Sequence, residues 1–163
     1  MSSLPQNKLD PRIKNVWRCN DAFWIIILTA ICAAVCKMVT LEPQACAIGE
    51  AGFTLVLVLG AIALVIWLFV LPPIRFIRWR YEITPEYLDI ARGIIWRKRV
   101  VIPFIRVQNT DTRQGPLLRL FGLASVTVST AAGEHEIPGL SFTAAEELRN
   151  RAAELARLAR EDV

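Results

Sequence analysis

Few side chains in this 163-residue sequence could do chemistry. The one histidine, His135, stands between Glu134 and Glu136. In a strand, neighbouring residues point to opposite faces, so both carboxylates turn away from the imidazole and the trio does not converge on a metal ion. Cys32 and Cys36 lie one helical turn apart inside an apolar run, where a cysteine serves as a small hydrophobe. Cys19 and Cys46 flank that run at opposite ends, so they cannot pair; Cys19 is either a plain thiol or a palmitoylation site beside a membrane. No serine or cysteine occupies a nucleophile elbow, and no glycine-rich loop could cradle phosphates. No catalytic residue, metal or cofactor is expected.

The basic residues are more informative. Residues 75–163 hold 14 Lys or Arg against 11 Asp or Glu. Arg75, Arg78 and Arg80 leave an apolar segment together, and Arg97, Lys98 and Arg99 form the densest run. Such clusters favour anionic lipid headgroups by about 1 kcal/mol per residue near the surface. These six are the candidate lipid or partner contacts. Isolated surface arginines are ordinarily solvated, and without a recognised motif the charge does not point to nucleic acid.

What must position these residues is a membrane anchor. Hydrophobic residues make up 54% of the chain and charged ones 21%, against roughly 45–50% and 25% in soluble domains. The excess is concentrated in two runs. Residues 22–41 carry one charge, Lys37, and residues 51–74 carry none. About 20 apolar residues span a bilayer as a helix, so both runs qualify. Glu42-Pro43 should close the first span, and Pro72-Pro73 should end the second near Leu71. Lys37, four residues from the outer end, can snorkel. The small residues Ala30, Ala33 and Ala34 could admit close approach of Gly60. The division is therefore an N-terminal segment (1–21), a two-helix hairpin (22–74) and a tail domain (75–163).

Orientation follows from charge. Lys8, Arg12, Lys14 and Arg18 precede the first span and Arg75, Arg78 and Arg80 follow the second, whereas the connecting loop carries only acids. The excess of basic residues predicts both termini on the cytoplasmic side of a multi-pass bacterial plasma-membrane protein. A cleaved signal peptide is the alternative for the first run, and it leaves the tail on the same side.

The tail reads as strands. Period-two patterns predict strands over 80–84, 87–92, 96–102, 105–112, 124–130 and 134–137, with a helical turn over 117–121 closed by Gly122. In the fifth strand Ala124, Val126 and Val128 should face inward and Ser125, Thr127 and Ser129 outward. Thr143 with Glu146 predicts a capping box, after which Leu148, Ala152, Leu155 and Ala159 form the apolar stripe of a C-terminal helix.

Several elements of this tail resemble a known family. They are Tyr81-x-Ile83-Thr84, Ile102-Pro103, Arg106-Val107-Gln108, Gln114-Gly115-Pro116-Leu117, Leu120-Phe121-Gly122-Leu123-Ala124 and Ile137-Pro138-Gly139-Leu140. Together they are similar to the bacterial pleckstrin-homology-like domain, or membrane-flanked domain, of YdbS-type membrane proteins. The match covers about residues 75–160, and the preceding hairpin fits as well. The resemblance implies a mainly-β split barrel or sandwich with one C-terminal helix, partnered by a larger membrane protein that carries the same domain. Arg106, Gln108, Gly115, Pro116, Leu117 and Gly122 are its motif positions.

Two departures limit the carry-over. Asn109 stands where many relatives have histidine. Thr84-Pro85-Glu86 occupies the first hairpin turn, where phosphoinositide-binding members of the wider superfamily place basic residues. The expected function is a non-enzymatic, membrane-anchored interaction module. The alternatives are anionic-headgroup binding, or an accessory role in transport or defence against membrane-active peptides.

Overall fold

The computed structural model describes residues 5–42 and 45–161. Pro43 and Gln44, in the loop expected to close the first span, lie outside the described residues. The chain divides into two compact units, one of Trp17–Pro73 and one built by the residues up to Val16 together with those from Ile74 onward.

The first unit is a helical hairpin. Helices α1 (Ile13–Val39) and α2 (Cys46–Val65) are long and apolar enough to cross a membrane. Glycines set their approach. A Cβ on Gly60 would lie 2.6 Å from Cγ2 of Thr29, and one on Gly49 would lie 2.6 Å from Cγ2 of Thr40. The expected contact of Gly60 with an alanine patch is therefore made by Thr29, one position before Ala30 on the helix. Near the connecting loop Lys37 Nζ lies 2.9 Å from Glu50 Oε1 and 5.2 Å from the centre of the Phe53 ring. The lysine thus has a local counter-ion on α2.

The second apolar helix does not stop at the two prolines. A π-helical turn over Ile66–Val70 leads directly into α3 (Leu71–Arg78). Leu71 N–H donates to Ile66 O, five residues back, so the wider turn absorbs the proline rings within the first turn of α3, where missing N–H groups cost least. The carbonyl of Leu68 is among those left over. The α-helical donor for Leu68 O would be Pro72 and the π-helical donor Pro73, and neither has an N–H. Arg18 Nε fills the gap at 2.9 Å.

The second unit contains two three-stranded antiparallel sheets and two helices. Sheet A has the order β1 (Arg80–Ile83), β2 (Tyr87–Arg92), β3 (Lys98–Pro103). A 3₁₀ turn, Phe104–Arg106, carries the chain to β4 (Val107–Arg113), so the fourth predicted strand begins two residues later than its alternation suggests. Phe104 is fully buried at that corner. After α4 (Pro116–Leu120) come β5 (Leu123–Thr130) and β6 (Gly133–Ser141), giving sheet B the order β4, β5, β6. Helix α5 (Phe142–Glu161) packs on sheet B and on the 3₁₀ turn, burying Ala145, Leu148, Ala152 and Ala156. The PH-like sandwich with one long C-terminal helix is thus present.

Three details differ from the sequence reading. Ser125 and Thr127 are buried rather than outward, because β5 is the central strand of its sheet and packs against both α4 and α5. Strand β6 does not end at Ile137. It bulges at Pro138 and Gly139, between the pairs Val126–Ile137 and Ala124–Leu140, with Gly139 at φ +65°. The cap of α5 is Ser141, whose Oγ accepts from Ala144 N–H at 3.3 Å, while Glu146 instead pairs with Arg149 at 2.9 Å.

The N-terminal residues, which the sequence sets apart from the tail, belong to this unit. Asn7 and Tyr81 exchange two backbone hydrogen bonds of 3.0 Å, covering the outer edge of β1. Asp10 N–H donates to Gly139 O at 2.9 Å, and Leu9 and Ile13 are buried. The side chain of Ile13 fills the space where Gly139 would carry a Cβ, 2.4 Å from Ile13 Cγ1. Arg12 pairs with Asp10 at 2.9 Å and donates to Phe121 O at 3.3 Å. Arg12 in turn holds the Asp10 carboxyl below its ordinary range.

Candidate functional site

Two surface features of the second unit draw together the sequence-selected residues. The first is a cleft of about 880 Å³ between the edges of the two sheets. Strand β3 is an edge of sheet A and β4 an edge of sheet B, and the 3₁₀ turn joins them at one end. Val101 and Ile105 line the cleft with roughly half their surface exposed. Arg106, Val107 and Gln108, the motif identified from sequence, form part of its wall. Gln108 sits at the irregularity between the β4–β5 pairs of Val107 and Asn109. Arg160 of α5 reaches Val107 O with a guanidinium N–H.

His135 also lines this cleft. Partial burial, followed by the positive charges of Arg92 and Lys98, pushes its pKa below the ordinary value of 6.5. The neighbours explain themselves by register, since Arg92 pairs with Lys98 on the face of sheet A shared by Ile90 and Val100. Between pH 6.5 and the depressed folded value, the unfolded chain binds a proton that the folded chain does not. Stability present at neutral pH is therefore lost progressively as the pH falls through that window. Thermal unfolding of the full chain in detergent should show a midpoint that drops from about pH 7 to pH 5.5, and His135→Gln should flatten that slope. An identical slope in both proteins would locate the titration elsewhere.

The second feature is the β2–β3 hairpin tip. Gly93 turns the chain at φ +113°, and a Cβ there would lie 1.9 Å from Trp96 O. The loop is thus closed against its own backbone, and only glycine fits. Ile95 and Trp96 project from it with 86% and 87% of their surface exposed. Arg97 and Lys98 follow, both exposed.

The basic run divides. Arg99 binds Asp89 through Nε, at 3.1 and 3.0 Å from the two carboxylate oxygens, and through Nη2 at 2.6 Å. Asp89 is 1% exposed, so Arg99 serves as the counter-ion of a buried acid, and that bond raises the guanidinium pKa. Asp89 pairs directly with Val101, which puts Arg99 on the adjacent diagonal position of the same face. Arg75 and Arg78 occupy the last turn of α3, and Arg80 opens β1. Arg80 pairs with Ala91, and Ala91 with Arg99, so these three form one row across sheet A.

The remaining motif positions build structure away from the cleft. Gly115 and Pro116 start α4 and Leu117 lies within it, while Gly122 ends it at φ +66°. The side chain of Gln114 donates to Leu123 O at 2.9 Å, bracing the same turn. Sequence reasoning missed Ile95 and Trp96, which it assigned to the loop and strand start; their position directly before the basic run was the available signal. It also missed Asp89, which it singled out for no role. Among the described residues no group of three or more His, Cys, Asp or Glu side chains could hold a metal ion.

Comparison with known proteins agrees with this architecture. Residues 23–156 match the family model of the bacterial PH domain. The chain is 36% identical over 166 residues to the UPF0699 transmembrane protein YdbS of Bacillus subtilis (strain 168), covering 100% of both chains. No solved structure matches. With two apolar helices leading into a PH-like sandwich, and with both the family model and a full-length relative in agreement, this chain belongs to the bacterial PH-domain family and is a YdbS-type membrane protein.

Proposed function

We propose that the protein is a non-enzymatic interaction module, anchored in the bacterial plasma membrane with both termini in the cytoplasm. In this reading the β3–β4 cleft holds an extended segment of a larger membrane protein that carries related domains. The observation that carries it is the cleft itself, an apolar slot between two sheet edges with Arg106 and Gln108 in its wall. Edge strands offer backbone donors and acceptors to an added strand, and flanking side chains give selectivity. The lining is mainly aliphatic, with Arg106, His135 and Arg160 as its titratable groups, a composition suited to holding an extended segment.

Topology supports the placement of the termini. Residues before Trp17 and residues after Pro73 fold as one unit, which favours one side of the bilayer for both. Two crossings satisfy that arrangement, and the basic residues at both flanks favour the cytoplasm. Anchoring lets a weak interface be occupied, because a partner in the same membrane is held at high local concentration.

The test is co-purification of the tagged full chain from native membranes, with Val101→Asp and Arg106→Glu introduced together. A membrane protein recovered with the parent should fall at least about tenfold, since a like-charge or unpaired charged group in an apolar contact costs more than 1.4 kcal/mol. Unchanged recovery from the variant would move the interface out of the cleft.

A further inference from the structure

We propose that the β2–β3 hairpin tip enters the surface of an anionic bilayer, with Ile95 and Trp96 at the boundary between headgroups and acyl chains and Arg97 and Lys98 on lipid phosphates. Ile95 and Trp96 are the two most exposed large apolar side chains among the described residues, surpassing even those on the apolar spans. They stand side by side on a turn that Gly93 closes tightly, so they are presented together by a fixed loop.

Charge selects the kind of surface. Arg92, Arg97 and Lys98 surround the two apolar residues, and no Asp or Glu occurs anywhere from residue 90 to residue 110. Tryptophan with a basic collar is the composition of a segment that lies at a membrane interface, where the ring sits among headgroups and cations meet phosphate. An apolar protein pocket would satisfy Ile95 and Trp96 but would leave that collar without counter-charge.

Register supplies the direction. The chain reaches sheet A from α3, whose last turn carries Arg75 and Arg78, and enters β1 at Arg80. Arg80 lies in the same row as Ala91 and Arg99, and the tip continues β2 and β3 beyond that row. The tip therefore projects from the end of sheet A at which the chain arrives from its membrane segment. Helix α3, which precedes that row in the chain, has 8 residues, or about 12 Å of rise. The tip lies outside the β3–β4 cleft, so this proposal and the partner reading are tested by different residues.

The experiment uses the full chain with its four cysteines replaced by alanine and Ile95→Cys carrying an environment-sensitive fluorophore. It is reconstituted in phosphatidylcholine vesicles containing about 30% phosphatidylglycerol, with Ala153→Cys on the exposed face of α5 as the reference. The label at position 95 should be quenched by a nitroxide carried in the bilayer, and its access to aqueous acrylamide should be at least fivefold below the reference. Arg97→Glu with Lys98→Glu, or about 0.5 M salt, should at least halve the bilayer quenching. A label at position 95 as open to acrylamide as the reference would overturn the proposal, as would bilayer quenching unaffected by removing phosphatidylglycerol. Shielding in native membranes but not in vesicles would also overturn it and assign the tip to a protein.

Discussion

Replacing Arg99 with alanine is expected to lower the unfolding midpoint of the protein by about 10 °C or more, a larger loss than any other single arginine substitution should cause. The reason lies in its partner. Asp89 is 1% exposed and sits between the buried Leu88 and Ile90. Removing the guanidinium strands a carboxylate where water cannot replace it. Removing the carboxylate instead leaves Arg99 with a side chain that is already 35% exposed, so its charge stays within reach of water. Asp89→Ala should therefore cost clearly less than Arg99→Ala. Changing both to apolar residues, Asp89→Leu with Arg99→Met, should recover most of the loss. Thermal unfolding of the four proteins in one detergent measures this. Additive losses in the double variant would show that the pair is not coupled.

Gly139→Ala is expected to release the N-terminal segment from the sandwich. Two costs combine. A side chain at φ +65° is strained by about 1–2 kcal/mol, and the new methyl would meet Ile13 at 2.4–2.6 Å, which overpacks the seat by about 1–3 kcal/mol. Trypsin reports the outcome, because Lys8 and Arg12 lie inside the docked segment. Cleavage there should accelerate at least tenfold in Gly139→Ala. Gly133→Ala is the control, since Gly133 also has positive φ but no atom lies within 4 Å of its Cβ position. It carries strain alone and should leave the trypsin sites protected. Equal acceleration in both variants would attribute the effect to strain and not to the contact with Ile13.

These two residues show what a linear reading can and cannot see. The spans, the six strands, the short helix closed by Gly122 and the long final helix were all legible, because each rests on local periodicity or turn chemistry. Asp89 was not, since nothing local marks it as buried and its counter-ion, Arg99, comes from the neighbouring strand. The seat at Gly139 was invisible for a similar reason. Pro138-Gly139 looks like the end of a strand, and only the pairing of Ala124 with Leu140 beyond it, with Ile13 seated on Gly139, shows a bulge instead. The continuation past Pro72-Pro73 likewise depends on Arg18, fifty residues away in sequence. Of the cleft, the Arg106, Val107 and Gln108 element was visible by resemblance. The facing wall comes from β3, the β5–β6 turn and α5, whose assembly no local pattern encodes.

The docking of residues 7–13 against Tyr81 and Gly139 has a consequence for biosynthesis. Gly139 is translated 129 residues after Asp10, its backbone partner. At about 5–20 residues per second, the leading segment waits roughly 6–26 s for its seat to exist. During that interval Leu9 and Ile13 have no core to enter, while the hairpin between the two halves is being delivered to the membrane. Completion of the sandwich unit thus comes last and depends on both halves reaching the same compartment. A molecule inserted with one span missing would strand its first residues across the bilayer from their partners, and so would leave an unfinished sandwich open to proteolysis.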